Sequence, residues 1–420
     1  MVFQGLRLSL LPLLFSSFVG SDSISFDVNS YGNDDPTPFQ TYLSNQDVKP
    51  PELLVTKNSS GLSDGFVFIG VDGKPTSGQN NPVIYEMSNK RLGSLIWTGN
   101  YTEPFDFKTQ MYKGKPHLTM WVGELLNGYG HGSYYILNQS YSEVAHFSPV
   151  GYPDLGDLHE FTITKDDTAL VTTYVAKPWD LTEFGGPADG WIFEGLFQEI
   201  HIETNQLIFQ WNSTSHVGLN ETYNELSGTG SEGSPFDWFH INSVEKDANG
   251  DYLVSGRHDA RWVDDVKQDQ ITIFDNGPTD TVGYSRGLLL AVDQTAKTVR
   301  LMREFTNGVK TFAQFEGSLQ AIDPGNENTN YFLGFGAQPF FSELNSDGEI
   351  LLDVQFGKTN AVNSYRAYRL PWVGMPLTNP DIYYNLDAKK VAISWNGATE
   401  VEQWVRFSHV YKKKRPSLRF

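Results

Sequence analysis

Three histidines open similar phrases of the sequence and are the first candidates for chemistry. His159 begins HEFTITKDDTALVTTYV, His240 begins HINSVEKDANGDYLVSGR, and His258 begins HDARWVDDVKQDQITIFDNG. The chain has nine histidines in all, so three at the heads of matching phrases predict one shared site. Imidazole titrates near neutral pH, so such a site could donate a proton, accept one or attack an electrophile.

The neighbours of these histidines fit an anionic or phenolic aromatic ligand. Arginine pairs with oxyanions, amides donate hydrogen bonds, and aromatic rings stack on aromatic ligands. The candidates for substrate binding or catalysis are Asn242, Arg257, Arg261, Trp238, Phe239 and Trp262. Core packing is the alternative for the rings, because 14% of the chain is aromatic. Three histidines could also hold zinc, but their spacing matches no recognised ligand motif, and we predict no metal.

Short β-strands must position these residues, because the chain shows little helical periodicity. Two hairpin phrases alternate along it, one exemplified by VIYEMSNKRLGSLIW at 83–97 and the other by the histidine phrases. Such alternation gives a repeated four-stranded unit, typical of propeller blades, whereas a β-sandwich would not need two types. We therefore predict an all-β fold, a β-propeller over residues 65–404. The innermost strands of a propeller line its channel, so residues at the heads of successive blades should converge.

One blade is predicted to be incomplete. Elsewhere the two hairpin types follow one another, but Arg257 and His258 join two phrases of the histidine type directly. An outer hairpin is therefore missing at this point. The end of the chain is also irregular, since residues 405–420 form a basic tail without strand pattern. A ring that does not close leaves an exposed strand edge, and we expect one here.

The first residues predict a secreted or vesicular protein. Arg7 precedes an apolar run over 8–19, which is too short for a membrane span but suits a signal peptide at 1–21. A polar segment at 22–64 follows. Glycosylation sequons, which agree with the secretory pathway, begin at Asn58, Asn100, Asn138, Asn212 and Asn220. The mature chain is expected to have no membrane span.

Composition excludes several function classes. The net charge of −19 argues against a nucleic-acid partner, which would need a basic surface. The chain has no cysteine, so neither a disulfide nor a thiolate can contribute. No nucleotide-binding or hydrolase motif occurs, and we expect no cofactor. The residues point to a small aromatic substrate as the expected partner, and the resemblance described below adds terpenoid substrates. The sequence leaves the oligomeric state open.

Several phrases resemble the fungal branch of the arylsulfotransferase-like proteins, whose bacterial relatives are six-bladed propellers. The phrases are DLHEFTITKDDTALVTTY, SPFDWFHINSVEKDANGDYLVSGRHDAR, ITIFDNG, GFGAQPFFSELNSDGEILLDVQF, SYRAYRLPWVGMP and SWNGATEV, within about 65–404. The resemblance implies six blades and a histidine that carries sulfate between phenols. His159, His240, Asn242 and Arg257 match its supporting residues. In the family, one histidine ends the SGRH phrase and the nucleophilic histidine belongs to a later QHDAR-like phrase. Here the two phrases are fused, so the single residue His258 takes the place of both histidines.

The resemblance implies two activities, and the residues leave a third reading open. Some fungal members resemble pericyclases that join a tropolone-derived o-quinone methide to a humulene-type sesquiterpene by hetero-Diels–Alder addition in meroterpenoid pathways. In this reading, which we favour, the three histidines supply acid and hydrogen bonds and Arg257 polarises the tropolone oxygen. The alternative is an aryl sulfotransferase with His258 as nucleophile. The third reading is a non-catalytic binding propeller.

Overall fold

The computed structural model describes residues 38–73, 80–88, 91–277, 282–387 and 390–405. The predicted signal peptide and all but the first residue of the predicted tail lie outside these ranges. The described residues contain three single-turn 3₁₀ helices, at Thr182–Phe184, Ser213–Ser215 and Leu219–Glu221. None of the helices described is long and apolar enough to cross a membrane.

Short strands make up almost all regular structure of the described residues. In chain order they are β1 Leu54–Asn58, β2 Phe66–Gly70, β3 Asp72–Gly73, β4 Pro82–Glu86, β5 Ser94–Thr98, β6 Pro104–Tyr112, β7 Lys115–Leu125, β8 Gly130–Leu137, β9 Glu143–Phe147, β10 Asp157–Ile163, β11 Thr168–Trp179, β12 Gly190–His201, β13 Gln206–Asn212, β14 Ser243–Lys246, β15 Tyr252–Ser255, β16 His258–Trp262, β17 Gln270–Asp275, β18 Arg286–Asp293, β19 Thr298–Phe305, β20 Ser318–Ala321, β21 Tyr331–Gly334, β22 Phe340–Leu344, β23 Ile350–Gln355, β24 Val362–Asn363, β25 Ala367–Leu370, β26 Asp381–Asn385 and β27 Lys390–Ser394.

The sheets form a ring of blades, and the predicted all-β propeller is confirmed. Blade 1 contains β6–β9, blade 2 β10–β13, blade 4 β16–β19, blade 5 β20–β23 with β1 at its outer edge, and blade 6 β25, β2, β4 and β5. Between blades 2 and 4 lies a sheet of two strands, β14 and β15, which we call blade 3. Five sheets are therefore full blades, and the predicted count of six is reached only by including blade 3.

Blade 3 lies where the sequence predicted an incomplete blade. Its second strand, β15, ends at Ser255, and the innermost strand of blade 4 begins at His258. Two residues are too few to build an outer hairpin, so the chain passes directly from one blade to the next. The missing hairpin is therefore a feature of the fold and not only of the sequence pattern.

The ring closes by pairing strands from both ends of the described chain. In blade 6, β25 is antiparallel to β2, with Ala367 opposite Ile69 and Leu370 opposite Phe66. The expected frayed closure at the C-terminal end was therefore wrong, because β25 supplies the innermost strand of blade 6. The segment 22–64 also contributes to a blade, since β1 pairs with β23 at the outer edge of blade 5.

Apolar side chains hold neighbouring blades together. Successive residues of a strand point to opposite faces, so each blade presents one apolar face to each neighbour. In blade 6, for example, Val67 packs against Phe341 of blade 5, whereas Phe68 packs against Phe107 of blade 1. Similar buried clusters join blades 1 and 2, blades 2 and 3, and blades 4 and 5. Hydrophobic burial between blades therefore holds the ring together without any disulfide.

Candidate active site

The structure brings His159 and His240 together at the start of two innermost strands. Their ring centroids are 4.5 Å apart, and the planes meet edge to face at 87°. His159 lies in β10, and His240 lies three residues before β14. The convergence of histidines from neighbouring blades therefore follows from their equivalent places in the repeat. We call these two residues the histidine pair.

A buried carboxylate orients the first member of the pair. His159 Nδ1 lies 2.6 Å from Asp157 Oδ2. The same carboxylate accepts hydrogen bonds from the Gly130 backbone N–H and the Thr172 hydroxyl. Burial would raise the pKa of Asp157, but the charge and hydrogen bond of His159 outweigh burial and lower it. The ionised Asp157 therefore fixes Nδ1 of His159.

A second carboxylate orients the other member in the same way. His240 Nδ1 lies 2.7 Å from Asp237 Oδ2 and 3.3 Å from the Tyr174 hydroxyl. Tyr174 itself donates to the carbonyl of Ile241, which fixes its ring. None of the hydrogen bonds of the described residues uses Nε2 of His159 or His240. Each imidazole is thus anchored through Nδ1 alone.

The pair combines one neutral and one charged imidazole. Burial lowers the pKa of His159 below its usual 6.5, and the neighbouring His240 lowers it further. Burial also opposes the charge on His240, but the hydrogen bond and charge of Asp237 outweigh it and raise its pKa. Near pH 6.5, His159 is therefore neutral and His240 is protonated. This is the arrangement of a general base beside a general acid.

His258 lies near the pair, but its Nε2 is occupied. This nitrogen accepts a hydrogen bond of 3.0 Å from the Glu316 backbone N–H. Burial lowers the pKa of His258 well below 6.5, and the neighbouring His240 and Arg366 charges act in the same direction. The Nε2 lone pair that an attacking histidine needs is therefore engaged by the backbone.

Glu316 adds a buried carboxyl group that sequence reasoning missed. Burial, with a smaller contribution from Asp72, raises its pKa to about 8. Its Oε2 is buried and has no hydrogen-bond partner among the described residues. The carboxyl group is therefore mostly protonated at neutral pH. No motif marked this glutamate, because its environment depends on segments far apart in sequence.

A charge cluster fills the channel beneath the histidine pair. Three carboxylates and three cations from blades 1, 2, 4 and 6 contact one another, namely Asp106, Glu160, Asp259, Lys108, Arg261 and Arg366. The nearby cations lower the pKa of Glu160 to about 2, although burial opposes this. Paired buried charges therefore join the innermost strands of these four blades.

Arg366 connects the charge cluster to the histidine pair. Its side chain is fully buried, and Nη1 lies 3.1 Å from Asp106 Oδ1. Nη2 donates to the backbone carbonyl of His159 at 2.9 Å and to that of Asn242 at 3.1 Å. The guanidinium thus fixes the backbone on which one member of the pair is mounted. Its phrase, SYRAYRL, was noted for its resemblance to the family, but this arginine was not proposed as a site residue.

The sequence matches the family model of the arylsulfotransferases (ASST) over residues 108–259 and 256–357. These segments cover more than half of the chain. The chain belongs to the arylsulfotransferase family. Residues 256–259 are used by both matches, which agrees with a fused phrase at Arg257 and His258. No curated protein matches the chain.

Solved structures resemble the chain at low sequence identity. A protein of Bacteroides fragilis NCTC 9343, provisionally described as a 6-phosphogluconolactonase, is 8% identical with a TM-score of 0.37, covering 74% of this chain and 99% of its own. A functionally unknown protein from Desulfotomaculum acetoxidans DSM 771 is 11% identical with a TM-score of 0.36, covering 73% of this chain and 99% of its own.

The polar residues that the sequence predicted for the site differ in how deeply they are buried. Asn242 is fully buried, and its Oδ1 accepts from the Asp259 backbone N–H. Arg261 belongs to the charge cluster, with Nη2 2.8 Å from Glu160. Arg257 has a side chain 70% exposed, and its contact with Asp275 measures 3.8 Å. The Arg257 side chain therefore lies largely in solvent, although it was predicted to act together with the histidines.

The aromatic candidates pack in the protein core or away from the pair. Trp238 is 2% exposed and lies in a cluster with Ile192 and Phe236, so its ring cannot stack on a ligand. Phe239 is half-buried against the same cluster. Trp262 ends the strand that His258 begins, at the opposite end of β16. Core packing thus corrects the predicted binding role of Trp238.

The predicted glycosylation sites differ in exposure. Asn58, Asn100 and Asn220 are exposed, whereas Asn138 and Asn212 are half-buried. The Asn212 side-chain amide donates a hydrogen bond to Glu194. Glycosylation of Asn212 would break this hydrogen bond. Glycosylation of the three exposed sites remains a prediction.

Replacing Arg257 with alanine should change kcat/KM of the catalysed reaction by less than about twofold. A side chain that is largely in solvent has little to offer a buried transition state, and exposed ion pairs contribute little to stability. Steady-state kinetics and a urea unfolding curve would check both points. A loss of tenfold or more would show that Arg257 reaches the substrate when it binds.

Proposed function

We propose that this arylsulfotransferase-family chain is an enzyme that moves protons on a small phenolic or tropolonic substrate, and specifically a hetero-Diels–Alderase-type pericyclase. The observation that supports this is the histidine pair. Two imidazoles 4.5 Å apart, each held by its own aspartate, have pKa values shifted in opposite directions. Forming a quinone methide needs one acid and one base close together.

The proposed first step removes water from a hydroxymethyl tropolone. His240 Nε2–H donates its proton to the leaving hydroxyl group, and the C–O bond breaks. His159 Nε2 takes the proton of the ring hydroxyl, whose electrons form the new carbonyl and the exocyclic double bond. The products are one water molecule and an o-quinone methide. Proton transfer from His159 back to His240 restores the pair.

The second step joins the quinone methide to an alkene of a humulene-type sesquiterpene. Two bonds form in this addition, and no atom is lost. The protein has only to hold the two reactants in a reactive orientation, which can supply up to about 7–11 kcal/mol. A nucleophilic histidine is not needed, so the occupied ring of His258 does not prevent this reaction.

Sulfotransfer is the second candidate, and membership of the arylsulfotransferase family favours it. Its nucleophile would be His159, because His258 Nε2 already accepts the Glu316 backbone N–H. Neutral His159 would attack sulfur while the S–O bond to the phenol breaks, and His240 would protonate the departing phenolate. A non-catalytic binding propeller remains the third candidate.

Two assays separate the candidates. The purified chain is incubated with a hydroxymethyl tropolone and humulene, and the rate and stereochemistry of the adduct are compared with the uncatalysed reaction. In parallel, a radiolabelled aryl sulfate tests for label on a histidine and transfer to a second phenol. Stereocontrolled adduct without label supports the pericyclase. Label on His159 supports sulfotransfer, and inertness in both assays supports a binding protein.

The adduct-forming rate should follow a bell-shaped pH profile, with its acid limb below pH 6.5 and its alkaline limb above it. His159 acts as the neutral form, so activity falls as acid protonates it below its lowered pKa. His240 acts as the cation, so activity falls as the pH rises through its raised pKa. Initial rates between pH 4 and pH 10, corrected for the uncatalysed reaction, would measure both limbs. A rate that rises steadily through this range would contradict the assigned roles.

A further inference from the structure

The incomplete blade 3 leaves a gap in the outer part of the ring. In the part of the chain that the structure describes, β15 pairs with β14 alone. The full blades on both sides continue outwards for two more strands. The outer edge of β15 therefore keeps backbone N–H and C=O groups that can pair with another strand. We call the space between blades 2 and 4, beyond β15, the notch.

Both walls of the notch carry exposed apolar side chains. On blade 2, β13 carries Phe209, whose ring stacks on Tyr252 of blade 3. On blade 4, β19 carries Val299 and Leu301, which are 61% and 50% exposed. Leu301 pairs with Leu290 of β18, and Val299 pairs with Val292. These side chains would be covered if blade 3 had an outer hairpin.

The face of blade 4 towards blade 3 lacks the packing found elsewhere. Its other face, with Phe274 and Leu289, forms a buried cluster with blade 5. The alternate residues Ile271, Ile273 and Leu290 are only half-buried. Among the buried clusters of the described residues, none joins blade 3 to blade 4. A contiguous apolar surface of this kind marks an interaction site.

The same chain carries a two-stranded hairpin that belongs to no blade. β26 and β27 pair only with each other among the described residues. Their register places Ile382, Tyr384, Val391 and Ile393 on one face. Ile382 is 65% exposed and Tyr384 is 46% exposed. The hairpin is thus amphipathic, and two residues of its apolar face, Ile382 and Tyr384, are left exposed by the residues that the structure describes.

The hairpin cannot reach the notch of its own chain. Asn396 and Gly397, which follow β27, bond to Thr98 and Ile96 of blade 6, and Ser394 contacts Ser44. Blade 6 lies opposite blade 3 in the ring, three blades away in either direction. This hairpin can therefore fill the notch only of another molecule.

We propose that the notch of one molecule binds the β26–β27 hairpin of a second copy of this chain. The hairpin adds two strands to β15, which completes blade 3 with the four strands of a full blade. Two strands span about 10 Å at the usual spacing, the width that a missing outer hairpin leaves. Backbone pairing supplies affinity, and the apolar faces bury Leu301 and Ile382.

The proposed contact is heterologous, because it joins different surfaces of the two molecules. The notch and the hairpin lie on opposite sides of the ring, so a dimer keeps one free notch and one free hairpin. Such contacts extend head to tail unless the rotation between copies closes a ring. We therefore expect a concentration-dependent series of oligomers and not a single two-fold dimer.

The test compares two variants and their mixture by sedimentation velocity and light scattering. Leu301→Asp places a charge on the notch wall, and Ile382→Asp places one on the hairpin. Each variant alone should be monomeric at concentrations where the wild type associates. A mixture retains one intact notch and one intact hairpin, so it should form dimers and nothing larger. Met111→Asp, at an exposed position on blade 1, is the matched control and should associate like the wild type.

Thermal unfolding of each variant verifies that the ring is intact, because all three positions are exposed. Three results would overturn the proposal: a wild type that stays monomeric over the whole concentration series, variants that associate like the wild type, or a mixture that stays monomeric. Oligomers that persist in both variants but dissociate in the control would place the contact on blade 1 instead, which also overturns it.

Discussion

Replacing His240 with glutamine is expected to lower kcat of the proposed dehydration step about a hundredfold or more. The variant loses the proton donor of the histidine pair, and general acid catalysis contributes roughly 10²–10⁴-fold. Binding of the aromatic substrate should change far less, because glutamine keeps a hydrogen-bond donor at this position. Single-turnover kinetics with a hydroxymethyl tropolone would separate the chemical step from binding.

Two further variants make this prediction specific. Asp237→Asn keeps the imidazole but removes the charge that raises the pKa of His240, so the alkaline limb of the pH profile should move to lower pH. His146→Gln, on the exposed outer strand of blade 1, should leave the rate unchanged. A His240→Gln variant with the wild-type rate would exclude His240 as the acid and with it the proposed mechanism.

Replacing Arg366 with methionine is expected to lower the free energy of unfolding by about 3–5 kcal/mol. The fully buried guanidinium faces Asp106 and Asp259, and its removal leaves these carboxylates in the channel with fewer cations. Breaking a buried ion pair by removing one partner costs this much because the remaining charge stays desolvated. Urea unfolding followed by tryptophan fluorescence would measure the change.

Arg257→Met is the matched control for Arg366→Met, because the same exchange at a largely exposed arginine should alter stability by less than about 0.5 kcal/mol. Arg366 also donates to the carbonyl of His159, so any folded Arg366→Met protein should have a lower kcat. An Arg366→Met variant as stable as the wild type would show that the charge cluster is not held by this residue.

The sequence alone determined the repeat and the places where it is interrupted. Alternating hairpin phrases are local patterns, since strand pairing within a hairpin involves neighbouring residues. They predicted the propeller, the equivalent positions of His159 and His240, and the incomplete blade at Arg257 and His258. The family resemblance was likewise carried by short contiguous phrases. The ring closure by β25 was missed, because that strand pairs with β2 across nearly the whole chain.

The tertiary structure alone decided the protonation states and which candidates reach the site. Asp106 and Arg366 form a buried ion pair although 260 positions separate them, and no local pattern links them. The Nε2 of His258 is occupied by the Glu316 backbone N–H, and Trp238 packs in the core. Burial and charge set the pKa of a group, and both depend on neighbours that only the folded ring brings together.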